Sequence, residues 1–232
     1  MAAPKTLMGS RCLIVKAGLV DYHDGLNLQD KARYIVQQGC WDGILLLLEH
    51  LPVITVGARG NRDNILRNNS ELQHMGIAVV NTSRGGDVTC HSPGQLVGYP
   101  VMNLGNWQRD VHSYVNLLEE LLIRVLARYG LRAGRKASYT GVWLNDEKVA
   151  AIGVAVRRWI TYHGFALNIN NNLELFNQIV PCGIHEFGVT SLAKNGVNTE
   201  FGQIINTLIN EFSIVFGCSM HISDKLIEGD YY

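Results

Sequence analysis

Short apolar runs alternate along this chain with longer stretches in which apolar residues recur every three to four positions. "RCLIVK" (11–16), "GILLLLE" (43–49), "VITVG" (53–57) and "GIAVVN" (76–81) are runs of strand length, and "LVGYPVMNL" (96–104) adds a fifth. Asp110 stands before Val111, Tyr114, Val115, Leu118, Leu121, Leu122 and Val125, which predicts a capped amphipathic helix that Gly130 ends. A second such face is formed by Phe201, Ile204, Ile205, Leu208, Ile209 and Phe212, with Gly217 just past its end. Ser70 and Gln73 have the spacing of a capping box. Between the two long helices, residues 139–170 predict three strands, 141–144, 148–156 and 159–169. Their turns fall at Asn145-Asp146 and near Arg157-Arg158. The pattern predicts one α/β (α+β) domain over residues 1–232, with a mixed, largely antiparallel sheet flanked by helices.

Composition narrows the function classes. At 232 residues, with 47% hydrophobic and 17% charged residues, the chain has the makeup of a globular domain with a real core. Lys+Arg and Asp+Glu are both 20, so no global field draws in nucleic acid or a membrane surface, and charged recognition must be local. The longest apolar stretch, "GILLLLEHLPVITVG", is broken by Glu49, His50 and Pro52 and is too short to span a bilayer. "MAAPKTLMGSRCLIV" lacks the apolar core of a signal peptide. Five scattered cysteines without a CxxC suit a reducing compartment, so a cytoplasmic protein is expected.

Four stretches carry candidate chemistry. "IVPCGI" (179–184) sets Cys182 between a proline and a glycine, where the chain can bend sharply. Cys182 is therefore either a buried small hydrophobe or a nucleophile raised on a turn. "SRGGDVTCHSPGQLVGYP" (83–100) pairs Gly85 and Gly86 after Arg84. It is either a glycine-rich loop between strands or a close-approach loop whose arginine holds an anion; it is neither a Walker A loop nor a GxGxxG fingerprint. Lys148 precedes the small apolar strand "VAAIG", so it stands at the mouth of a dry region or is an ordinary exposed lysine beside a hairpin turn. "TYHGFALN" (161–168) alternates Thr161, His163, Phe165 and Leu167 on one face with Tyr162, Gly164 and Ala166 on the other; His163 reads as a core histidine. Cys182 and His185 have CxxH spacing, but no second ligand pair accompanies them, so no metal is expected. At this level a Cys–His hydrolase and a Cys–Lys transferase both remain open.

Taken together and in order, "RGGDVTCHSPGQ", "KVAAIG", "HGFALN", "PCGI" and "GVTSL" resemble the motifs of the lipoyl(octanoyl) transferase family over about residues 50–192. The resemblance implies a fold similar to the catalytic domains of biotin and lipoate protein ligases. It also implies transfer of an octanoyl group from octanoyl-acyl carrier protein to a lysine on lipoyl domains of 2-oxoacid dehydrogenase E2 subunits or on the glycine-cleavage H protein. Carried over, Cys182 would be the acyl-accepting nucleophile and Lys148 its partner. Arg84, Gly85, Gly86, Asp87, Val88, Thr89, Cys90, His91, Ala151, Ile152, Gly153, Gly164, Phe165 and Ala166 would line the acyl site. No cofactor is implied, and a monomer is expected. Cys90 stands where the family has an aromatic residue and Ser92 where it has glycine or alanine; Cys90 would add a second thiol that acylation or oxidation can reach. The basic run Arg124, Arg128, Arg132, Arg135 and Lys136 would meet the acidic carrier, or simply form a solvated helix face. The rival reading is an ATP-dependent lipoate-protein ligase of the same fold, which needs no cysteine. A thioesterase and a non-catalytic acyl-binding relative are further alternatives.

Overall fold

The computed structural model describes residues 10–181, 187–223 and 226. In chain order its elements are β1 (Arg11–Val20), α1 (Tyr22–Gln37), β2 (Gly43–His50), β3 (Val53–Val56), α2 (Asn69–His74), β4 (Ala78–Asn81), β5 (Val88–His91), β6 (Gln95–Met102) and α3 (Val111–Arg128). There follow β7 (Gly134–Lys136), β8 (Tyr139–Leu144), β9 (Glu147–Arg157), β10 (Ile160–Asn168), β11 (Gly188–Val189), α4 (Phe201–Phe216) and β12 (Ser219–Ser223).

The main sheet has the order β12-β1-β2-β6-β10-β9-β8-β7, with β11 added beside β9; a small sheet has the order β4-β3-β5. β1 runs parallel to β2 and β12, whereas the pairs from β2 through β6, β10, β9 and β8 to β7 are antiparallel. The mixed, largely antiparallel sheet expected from the chain is therefore present.

Strand alternation sorts the two faces. Cys12, Ile14, Leu45 and Leu47 pack toward α3 and α4, while Leu13, Val15, Ile44, Leu46 and Leu48 pack toward α1. α3 starts where expected: the Asp110 carboxylate accepts from the Ser113 N–H at 3.1 Å. Left-handed Gly217 (φ +66°) ends α4. The capping box lies two residues earlier than expected, at Asn68 and Glu71. Both pairs have the same spacing, but Asn68 keeps the extended backbone a cap needs, and Ser70 already lies inside the helix. Arg158 and Trp159 both have positive φ, so the β9–β10 turn falls one residue later than expected.

The basic run is not a free positive field. Glu211 of α4 is buried and holds Arg124 at 2.7 Å and Arg128 at 2.6 Å; Glu119 and Glu120 hold Arg135, and Asp146 holds Lys136. Burial alone would raise the Glu211 carboxyl, but the hydrogen bonds from Arg124 and Arg128 outweigh it and keep it below the usual carboxylate range. Arg124, Arg128 and Arg135 thus clamp α3 to α4 and to β7, while Arg132 stays exposed. Among the described residues, no helix is long and apolar enough to cross a membrane.

Candidate active site

A narrow cleft separates β5 and the loop before it from the β6–β10–β9 part of the main sheet. Its walls include Arg84, Gly85, Gly86, Thr89, His91, Ala151, Ile152, Gly153, Gly164, Phe165 and Ala166, together with Lys148. These residues come from three sequence motifs, and the fold gathers them around one slot. Three expected acyl-site residues point elsewhere. On β5, Thr89 and His91 face the slot, so Val88 and Cys90 must face away, and both are buried in the small sheet's own core with Ile54, Val56 and Phe176. Burial pushes the Cys90 thiol well above its usual range, so it stays protonated and out of reach, contrary to expectation. Asp87 clamps a loop, accepting from the Asn61 N–H at 2.7 Å and from the Asn64 side chain. Ser92, beside His91, is buried.

Glycines set the slot's width. Gly85 donates to Val154 O at 2.9 Å, while Gly57 and Ala58 donate to Asp87 O and Arg84 O at 3.0 and 2.9 Å. A Cβ at Gly153 would lie 2.7 Å from Gly85 O, and one at Gly57 would lie 2.4 Å from Gly86 O. The loop thus fastens the small sheet to β9, backbone against backbone. The Arg84 guanidinium, for which anion binding is one of two readings of the sequence, braces the loop: it donates to Thr55 O at 2.7 Å, to Thr55 Oγ1 at 2.9 Å and to Gly85 O at 3.1 Å.

One end of the slot is closed by rings that pattern reading did not assign to it. Tyr22, Val97, Tyr99 and His163 line the slot beside His91. His91 Nδ1 donates to Gln95 Oε1 at 2.7 Å, and Gln95 in turn donates to Asn168 Oδ1 at 2.8 Å. Behind them, fully buried His50 donates from Nδ1 to Val20 O, which leaves Nε2 to accept from the Tyr99 hydroxyl at 2.7 Å. Burial lowers the pKa of His50 to about 4 and that of His91 to about 3. It lowers His163 to about 4, with nearby Arg84 adding to the effect. All three are neutral at pH 7.

His163 departs from the alternation expected of its strand. Its φ is +56°, a left-handed value inside β10. Thr161 bonds Met102 N and Pro100 O, in reach of Tyr114 on α3, whereas His163 turns to Tyr99, Thr82 and Ser83. Gln29 of α1 accepts the His163 N–H at 2.7 Å. Buried His163 Nδ1 has no partner among the described residues. Thr161 and His163 therefore do not share a face.

Lys148 occupies the other end. His163 pairs with Val154, six residues along β9, which is at most about 20 Å of strand. The β8–β9 register shifts here: Val142 pairs with Ala150, but Trp143 pairs with Lys148, leaving Val149 extra. Val149 and Ala150 both enter the core against α3, so simple alternation no longer sets the direction of Lys148. Its stem runs past Gly141, where a Cβ would lie 3.4 Å from Lys148 Cε, and its Nζ lies 4.7 Å from the Trp143 ring centre. On the other side of β9, Val189 of β11 is the register partner of Lys148, and Thr190 N donates to Lys148 O at 3.0 Å. Cys182 and His185 lie outside the described residues.

Comparisons with known proteins agree with this geometry. Residues 21–213 match the model of the lipoyl protein ligase A/B catalytic domain. The chain is 50% identical over 198 residues to an octanoyltransferase of Clostridium kluyveri, covering 85% of each. It is 49% identical over 216 residues to one of Thermoanaerobacter sp., covering 93% of each. Among solved structures, a lipoate-protein ligase A bound with ATP superposes with a TM-score of 0.73 at 16% identity, covering 96% of this chain and 90% of that one. A bi-partite lipoate protein ligase from Thermoplasma acidophilum gives 0.71 at 16% identity, covering 96% and 88%. The structural likenesses speak for the fold alone; the family model and the sequence relatives, through their extent, show that this chain belongs to the lipoyl protein ligase A/B catalytic domain family.

Proposed function

We propose that this chain, an octanoyltransferase of protein lipoylation, works as one domain over residues 1–232 and carries its acyl group on Cys182, with Lys148 as the acid–base partner. The donor is octanoyl-acyl carrier protein, and the acceptor is a lysine on a lipoyl domain or on the glycine-cleavage H protein. In the first step Cys182 Sγ bonds to the octanoyl carbonyl carbon, the carrier's C–S bond breaks, and the proton of Cys182 leaves on the carrier thiol. One thioester replaces another, so the step is close to isoenergetic and the donor itself supplies the activation. In the second step the acceptor amine forms the C–N bond, the Cys182 C–S bond breaks, and the amine's proton returns to the sulfur. An amide forms, and the sequence runs downhill.

Lys148 serves both steps. As an ammonium it favours the thiolate of a residue whose ordinary pKa, about 8.5, leaves only a few per cent ionised at neutral pH. Neutral, it takes the acceptor's proton. The observation that carries the reading is the pairing of β11 with β9: the chain seven positions after Cys182 is the register partner of Lys148, at the end of a slot lined by Ala151, Ile152, Phe165 and Ala166. Burying six methylenes in such a slot contributes about 5 kcal/mol at roughly 0.8 kcal/mol each.

Intact mass spectrometry after mixing with octanoyl-carrier protein tests the covalent step. One added octanoyl group is expected on the native protein and none on Cys182→Ala; Lys148→Ala loads about 10² to 10⁴ times more slowly. An adduct that persists in Cys182→Ala overturns the proposal.

A further inference from the structure

Beside the acyl slot runs a second, more polar cleft, and the two meet at Lys148, Gly85 and Ile152. One wall is a stripe of α3, His112, Asn116 and Glu119, which follows about 10 Å of helix. Ser138, Tyr139 and Thr140 form the facing wall. Buried Glu119 fixes the inner end, accepting from the Gly141 N–H and from Arg135 Nε, each at 3.0 Å. The outer end is basic. Arg59 lines it, and Arg109, just before α3, lies 5.6 Å from the centre of the Trp159 ring, in the turn that also carries Arg157 and Arg158. All four arginines are exposed and, among the described residues, none forms an ion pair. The acids at this rim are Asp87, held by Asn61 and Asn64, and Asp110, the cap of α3. Positive charge is in excess.

We infer that this cleft is the path by which the donor's arm reaches Lys148, and that the arginine rim docks the acidic domain carrying that arm. The inference rests on the carrier-dependent reading above and adds to it a surface and a direction of approach. Its ligand is an extended, amide-containing thiol arm that ends in a phosphodiester. The cleft is longer than the four-carbon stem of a single acceptor lysine requires. Its walls offer hydrogen-bonding groups to amides, where the slot offers apolar surface to a hydrocarbon chain. The rim adds attraction for phosphate and carboxylates, which raises the rate of encounter more than the final affinity.

Asn116→Trp narrows the cleft midway along an exposed helix face. The measurement is acyl loading of the full chain from octanoyl-carrier protein and from octanoyl-N-acetylcysteamine, a thioester without the long arm. Transfer from preloaded protein to a lipoyl domain is followed separately. The ratio of carrier loading to short-thioester loading is expected to fall about tenfold, with transfer to the lipoyl domain retained. Arg109→Glu combined with Arg158→Glu is expected to raise the KM for the carrier about tenfold at low ionic strength and to flatten its salt dependence. An unchanged loading ratio with slowed transfer would give the cleft to the acceptor and overturn the inference, as would an unchanged KM in the double variant. Native protein that takes octanoyl from neither donor sinks the covalent reading itself, which is a different result.

Discussion

The two faces of the main sheet are finished differently. Toward α3 and α4 the strands meet an unbroken apolar layer in which Tyr114, Leu118, Leu121, Phe212 and Phe216 are fully buried or nearly so. Toward α1 a single helix covers β2, β6 and part of β10, and the small sheet roofs the rest across the slot. The first face is filled mostly with hydrocarbon, and the second holds the buried histidines together with Tyr22 and Tyr99. One strand serves both: Leu167 of β10 is core on the helix-pair side, whereas Ala166 borders the slot. Stability and chemistry are thus divided by side-chain alternation, within a few ångströms of each other.

Acid should break the two faces apart. His50, His91 and His163 lie on the slot side with folded pKa values below the ordinary 6.5, so the unfolded chain binds their protons first. Their contribution is whole at pH 7 and is lost as pH falls below 6.5 toward each folded value, about 2 kcal/mol for each histidine by pH 5. Denaturant titrations at pH 7 and pH 5 measure the loss, and His50→Gln should remove one share of it. A stability that does not change between those pH values would contradict the burial of these rings.

Next in size, Phe212→Ala on the other face should cost about 3–5 kcal/mol in a urea titration, with activity per folded molecule retained. A selective loss of activity at full stability would show that the helix-pair face takes part in the chemistry. Smallest is Ala151→Leu, which intrudes on the slot. Loading of octanoyl relative to butanoyl should fall about tenfold, or about 1.4 kcal/mol, measured by competition between the two thioesters.

Much of this division is written in the sequence, and where it is not, the slot is the reason. α3, α4 and the β8–β9–β10 meander follow from apolar spacing, caps and turns because their surroundings are ordinary core. α1 escapes pattern reading because Gly25 and Gln29 interrupt its buried stripe. Gly25 makes room for His50, since a Cβ there would lie 2.6 Å from the ring, and Gln29 holds the backbone of His163. The reversal at His163 and the extra residue at Val149 are equally hidden, because each breaks strand alternation at a residue type that gives no warning. Three of the five motif blocks line the slot, but only the β5 register separates Thr89 and His91 from Val88 and Cys90. Departures from pattern gather along the slot.

The fastening of Gly85 to Val154, with Gly57 and Ala58 holding the same loop from the small sheet, has a consequence for how chain preference can drift. At that loop the separation of the small sheet from β9 is fixed by main-chain atoms in contact, which an exchange of side chains does not widen; the length of the slot is set by the side chains at its two ends, which single exchanges alter readily. Variants of this scaffold should therefore differ in the length of the unbranched acyl group they favour long before any of them accommodates a branched or bulky one.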